Sequence, residues 1–230
     1  MARLQTIKAY YEERYKSADM SPSRRSPDTF RVFLDWLGVN RKDKLLDVAC
    51  GAGALLQCAG PEVKGWGLDF SERATRLARH VAPHAHLCLG DMQQMPYAGG
   101  SFDYVTNIGG LEHVQDMVQA LHEMARVCSD EGKLCIVVPN ANFFWYRLLH
   151  IKGTEQAAME EHLLTLTEWQ DLLHSAGLRI MRIEADPGPD VRTDLGVKVF
   201  MRGMLRRAAL AITKVMPITS TYQFVFICSK

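Results

Sequence analysis

The apolar positions of this chain gather into short runs with amphipathic stretches between them. Residues 44–48, 63–68, 86–89, 104–107 and 133–139 are compact apolar-rich runs, of the length expected for strands buried on both faces of a sheet. Ahead of the first, Phe30, Phe33, Leu34 and Leu37 recur at helical spacing, with Asp28 as the expected cap and Gly38 as the stop. A second helix is expected to begin near Gly53 and a third to span 71–80 with Ser71 as its cap. A fourth spans 117–127, where Val118, Leu121, Met124 and Ala125 share a face. Thr167 is the expected cap of a helix over 168–176 that ends at Gly177, and residues 178–185 and 222–228 read as the last two strands. Strands alternating with helices predict an α/β domain with a largely parallel sheet.

The first run carries the chemistry. Residues 44–48 enter the turn Ala49-Cys50-Gly51-Ala52-Gly53, and a helix-compatible segment leaves it. Glycine has no Cβ and tolerates positive φ, so such a turn lets the backbone approach a ligand closely. The second run ends at Asp69, where an acidic side chain can accept hydrogen bonds from the two vicinal hydroxyls of a ribose. Gly51, Gly53 and Asp69 together read as a nucleoside site. A dinucleotide fold places a third glycine where this chain has Leu56, which argues against a nicotinamide or flavin oxidoreductase.

The run Leu46-Asp47-Val48-Ala49-Cys50-Gly51-Ala52-Gly53 resembles the first motif of the class I S-adenosylmethionine-dependent methyltransferases, and Asp69 matches their ribose-binding acid. Gly90-Asp91-Met92, Pro96-Tyr97 and Ser101-Phe102-Asp103-Tyr104-Val105 resemble the later motifs in order and spacing, so that the likeness covers about residues 44 to 140. It is nearest to the small-molecule branch called type 11, which includes quinone, sterol and sugar methyltransferases. The resemblance implies a Rossmann-like sheet of seven strands in the order 3-2-1-4-5-7-6, strand 7 antiparallel. It implies S-adenosylmethionine as cofactor, held by Asp47, Ala49, Gly51, Gly53, Asp69, Phe70, Asp91, Met92 and Asn107. In the family the acid at position 91 meets the adenine amino group, and a Met beside it can lie on the ring because thioethers are soft and adaptable. Ala49 stands where the family often has Gly, a mild departure expected to leave cofactor binding intact.

Residues 107–114 lack the Asn/Asp-Pro-Pro-aromatic tetrad with which nitrogen-directed members of this fold hold a planar amine. A hydroxyl or carbon acid needs a proton acceptor, and the candidates are His113 and Glu112 after the fourth strand and His162 before the last helix. His113 ranks first, because residues after strand four face the transferred methyl in this fold and imidazole titrates near neutrality, with capping or packing of the following helix as its other reading. His162 ranks second, with substrate orientation or a structural role as its other readings. His80, His84 and His86 crowd one connection, but Pro83 breaks the spacing that could align them, and no metal is assigned.

Length and composition set the boundaries. A chain of 230 residues with 47% apolar content fits one domain with a substantial core. A formal net charge of +1 without long basic runs disfavours nucleic acid as a partner. The six cysteines have no Cys-x-x-Cys spacing and read as reduced core residues of a cytoplasmic protein. Met1 to Lys16 lacks the apolar centre of a signal peptide, and no run is long enough to span a membrane.

Two segments lie outside the pattern. Residues 1–27 form an N-terminal helix and a Pro-Ser-rich linker ahead of a domain over 28–230. There Tyr11 and Tyr15 share one helical face, either lidding the site or packing a surface helix onto the body. Phe143 and Trp145 belong to an aromatic cluster after the fifth strand that either lines an acceptor pocket or forms a buried helix. An insertion over 186–221 carries an apolar stripe with Lys198, Arg202 and Arg206 beside it. A basic amphipathic helix over 196–216 suits peripheral contact with an anionic membrane, or packs on the protein itself or a second subunit. The expected function is methyl transfer to a small-molecule or lipid-linked acceptor, such as a quinone or a glycan precursor. A non-catalytic cofactor-binding partner is the principal alternative.

Overall fold

A computed structural model of the chain describes residues 9, 10, 12, 13, 15, 25–143, 161–187 and 217–230. Its elements follow in the order α1 (Pro27–Leu37), β1 (Lys44–Val48), α2 (Ala54–Ala59), β2 (Lys64–Asp69), α3 (Glu72–Val81), β3 (His86–Leu89), β4 (Phe102–Ile108), α4 (Met117–Val127), β5 (Cys128–Pro139), α5 (Leu166–Ser175), β6 (Arg179–Ala185) and β7 (Gln223–Ser229). The seven strands form one sheet in the order β3-β2-β1-β4-β5-β7-β6. Strands β3 to β5 pair in parallel, whereas β7 runs antiparallel to both β5 and β6. This is the expected topology.

Alternation along the central strands divides the core between the two faces of the sheet. Leu45, Cys135, Val137, Val225 and Ile227 face α1, packing against Phe30, Phe33, Leu34 and Leu37. Leu46, Val48, Ile136, Val138, Phe224 and Phe226 face the other way, toward Leu121 and Met124 of α4 and Trp169 and Leu173 of α5. Trp169 is fully buried and its indole N–H donates to the Pro139 carbonyl at 2.9 Å, which fixes α5 against the end of β5.

Several boundaries differ from the sequence reading. Ser26, not Asp28, caps α1, its hydroxyl accepting from the Thr29 amide while Pro27 opens the helix. Thr165, not Thr167, caps α5 in a capping box with Glu168. Strand β5 begins at Cys128 rather than 133, because Cys128 pairs with Phe102 before the register shifts. Of the insertion, only residues 186, 187 and 217–221 are described, so the expected helix over 196–216 lies outside the described residues, as do Tyr11 and Trp145. Among the described residues no helix is long and apolar enough to cross a membrane.

Candidate functional site

In an open α/β sheet, ligands bind outside the carboxyl ends of the strands, beside the point where strand order reverses. Here that point lies between β1 and β4. A cleft of about 500 Å³, part of it open to solvent, occupies this edge. It is lined by Ala49 after β1, Leu68, Asp69 and Phe70 at the end of β2, Gly90, Asp91 and Met92 after β3, and Gly110, His113 and Val114 after β4. Asp69 and Asp91, the two strand-end acids, therefore face one cavity.

The turn after β1 holds the first acid in place. Gly51, at φ +53°, donates its amide to Asp69 Oδ2 at 2.8 Å, and Ser71 donates its amide to Oδ1 at 2.9 Å. A carboxylate offers about four lone-pair sites, so both oxygens keep capacity for a ligand. Burial pushes the Asp69 carboxyl up, while the Ser71 and Gly51 amides pull it down. Asp91 is held by the Gln93 amide and side chain, with contacts to Oδ1 at 2.9 and 3.2 Å.

Beneath the cleft the structure is tied rather than open. Asp47 is buried and accepts from the Thr106 hydroxyl at 2.7 Å, and burial raises its carboxyl to about 7 despite that bond. Asn107 is fully buried; its amide donates to the Val48 carbonyl at 3.1 Å and its oxygen accepts from Leu111 N–H at 3.0 Å. It thereby locks the ends of β1 and β4 to the 3-10 turn Leu111–His113. Gly53, at φ +80°, begins α2, where an added Cβ would stand 3.1 Å from that of Ala78. Leu56 fills the space that a third glycine leaves in dinucleotide folds, and β2 makes room for it, since a Cβ on Gly67 would meet Leu56 Cδ1 at 2.9 Å.

Of the expected site residues, Ala49, Asp69, Phe70, Asp91, Met92 and His113 thus meet at the cleft, while Asp47, Gly51, Gly53 and Asn107 shape its walls from behind. Tyr15 lies over the turn, its hydroxyl 2.8 Å from where a Cβ on Gly51 would stand. Phe143 packs edge-to-face on Tyr222 with centroids 5.1 Å apart, and it does not line the cleft. His162 reaches the site through its backbone, its N–H donating to the Glu112 carbonyl at 2.9 Å. His84 Nε2 lies 3.1 Å from the Leu56 carbonyl and His86 stacks on Trp66, so each turns to a separate neighbour. The sequence reading missed Gly110, whose adjacency to Gly109 was the available signal, and the Glu12 anchor at the start of α3. Glu12 accepts from the Ser71 hydroxyl at 2.8 Å and pairs with Arg73 Nε at 3.3 Å.

Residues 46–136 match the family described as Methyltransferase domain, Methyltransf_11. The chain is 34% identical over 139 residues to a demethylmenaquinone methyltransferase of Geobacillus stearothermophilus, a match covering 53% of this chain and 59% of that protein. It is 38% identical over 109 residues to the enzyme of the same name from Staphylococcus aureus (strain JH9), covering 44% of this chain and 45% of that one. The chain therefore spans about half the length of the curated relatives it matches. Among solved structures, a Haloferax volcanii methyltransferase in complex with the Trm112 methyltransferase activator superposes with a TM-score of 0.67 at 17% identity, over 99% of this chain and 95% of that one. Phosphoethanolamine N-methyltransferase 2 of Haemonchus contortus, in complex with S-adenosyl-L-methionine, gives 0.65 at 14% identity, over 96% and 56%. Residues 46–136 thus match a methyltransferase domain of the type 11 family, and the strand order, with its cleft at the β1–β4 switch point, is the fold shared with these solved methyltransferases.

Proposed function

We propose that this chain transfers a methyl group from S-adenosylmethionine to a small quinone-like or lipid-linked acceptor. The observation that carries the reading is the shared cleft of Asp69 and Asp91, floored by Ala49 and Gly110. Asp69 takes the ribose hydroxyls, Asp91 and Met92 take the adenine, and the backbone of Ala49, Gly51 and Gly53 passes close to the amino-acid end. Phe70 borders the ribose, while Asp47 and Asn107 hold these loops in register.

The bound cofactor supplies a sulfonium methyl that is already electrophilic. The chain's own task is to hold a nucleophile in line with it and keep water out, which can lower a barrier by up to roughly 7–11 kcal/mol. His113, buried and lining the cleft, receives the acceptor's proton. His162 is the second candidate for that role. Tyr15 covers the turn, and Tyr11 and Trp145 contribute to the acceptor side. Residues 196–216 give peripheral contact with an anionic membrane; lost cosedimentation with anionic liposomes on charge reversal at Arg202 and Arg206 is the expected result.

The deciding experiment is calorimetric titration with S-adenosylhomocysteine. Saturable binding is expected, weakened more than tenfold by Asp69→Ala. No binding up to millimolar ligand overturns the proposal.

A further inference from the structure

Glu112 stands in the 3-10 turn after β4, next to the cleft-lining His113. It is only 3% exposed, yet Oε2 makes no hydrogen bond among the described residues. Oε1 lies 3.9 Å from His113 Nε2 and 3.6 Å from where a Cβ on Gly109 would stand, so the side chain folds over the carboxyl end of β4. In strand order this is the side of the switch point opposite Asp69 on β2 and Asp91 after β3. An unsatisfied buried polar oxygen costs about 1–3 kcal/mol, and an apolar side chain of the same shape avoids that cost. The arrangement is therefore unfavourable in the protein alone: Glu112 sits just behind the cleft-lining His113 with an oxygen left to satisfy.

We propose that Glu112 is an acceptor-binding residue, its carboxyl hydrogen-bonding an oxygen carried on the ring of the molecule to be methylated. The proposal rests on the methyltransferase reading of the cleft. Burial holds the Glu112 carboxyl up at about 8, with Glu161 adding to the effect and Arg25 opposing it. Near neutral pH the group is mainly the acid, so it donates to a ring oxygen. His113 on the same turn then stands between this contact and the adenosyl rim.

The test compares 1-naphthol with naphthalene, which lacks the oxygen, by titration into protein saturated with S-adenosylhomocysteine. At pH 6.5 the wild type is expected to prefer 1-naphthol at least tenfold, and that preference should fall as pH rises past about 8. Glu112→Leu should abolish the preference while leaving S-adenosylhomocysteine affinity and thermal stability at or above wild type; Glu112→Gln, which still donates, should keep it within threefold. A wild type that does not prefer 1-naphthol, or a Leu variant that still does, overturns the proposal. Loss of S-adenosylhomocysteine binding by the wild type would instead strike the methyltransferase reading itself.

Discussion

The Cβ of Ala49 lies 2.7 Å from the point where a Cβ on Gly110 would stand, so the loops after β1 and β4 meet with room for one methyl group and not two. Ala49 itself sits at φ +59°, in the left-handed region, where an L residue costs about 1–2 kcal/mol. Ala49, where the resembling methyltransferases often have Gly, is thus mild in volume and strained in backbone, and Gly110 accommodates it. Gly110→Ala should destabilise the protein by about 1–3 kcal/mol through overpacking. In an Ala49→Gly background most of that loss should disappear, leaving a coupling of at least about 1 kcal/mol in a urea-unfolding double-mutant cycle. Additive losses would show that the two loops do not share this space.

The run of elements and the acids of the cleft rim were legible because both are local, whereas the strand order followed only from the resemblance to a known family. Short apolar runs, helical periods between them, and an acid at the end of a run survive in sequence without knowledge of the tertiary packing. Helix caps were less so, since Thr165 and Thr167 both precede the same apolar face; the Thr165-x-x-Glu168 spacing was the deciding signal. Pairings across long separations could not be read at all. Nothing in the sequence joins Arg25 to Asp186, 161 residues away, until β7 has inserted between β5 and β6.

That pairing makes its own prediction. Arg25 Nη1 contacts both Asp186 oxygens at 2.7 and 2.8 Å and its Nη2 donates to Gln223 Oε1 at 2.6 Å, with the Asp186 side chain wholly buried. Arg25 also stands 5.5 Å over the Phe33 ring. It thus ties the residue just ahead of α1 to the end of β6 and the start of β7. Arg25→Met strands a buried carboxylate and should cost about 3–5 kcal/mol in chemical denaturation, whereas adding Asp186→Leu should restore much of the loss.

Glu12 should control how firmly the N-terminal segment is tied to the start of α3. Its carboxylate accepts from the Ser71 hydroxyl, and Arg73 Nη1 donates to the Glu12 carbonyl at 2.8 Å. The same Ser71 presents its amide to Asp69, so the segment and the cleft-lining acid share one support. Glu12→Ala is expected to accelerate proteolytic cleavage ahead of residue 25 and to weaken S-adenosylhomocysteine binding several-fold, with little change in the unfolding midpoint. Unchanged proteolysis and affinity would assign Glu12 to surface packing alone.

Two buried carboxyls give the protein a directional response to pH. Burial raises Asp47 to about 7, the Thr106 hydroxyl opposing and Asp69 adding, and burial likewise raises Glu112 to about 8. Unfolded, both groups lose their protons near pH 4. Between these limits the native chain binds more protons than the unfolded chain, so stability falls with rising pH. The contribution is complete below about pH 4 and is lost as pH climbs through about 7 for Asp47 and about 8 for Glu112. Unfolding midpoints measured from pH 5 to 9 should therefore decline in the wild type. Asp47→Asn should flatten the lower part of that decline, since an amide oxygen can still accept from Thr106, and Glu112→Gln should flatten the upper part. A wild-type profile that rises through this window would mean that both groups are ionised in the folded chain, with counter-charges stronger than the burial that surrounds them.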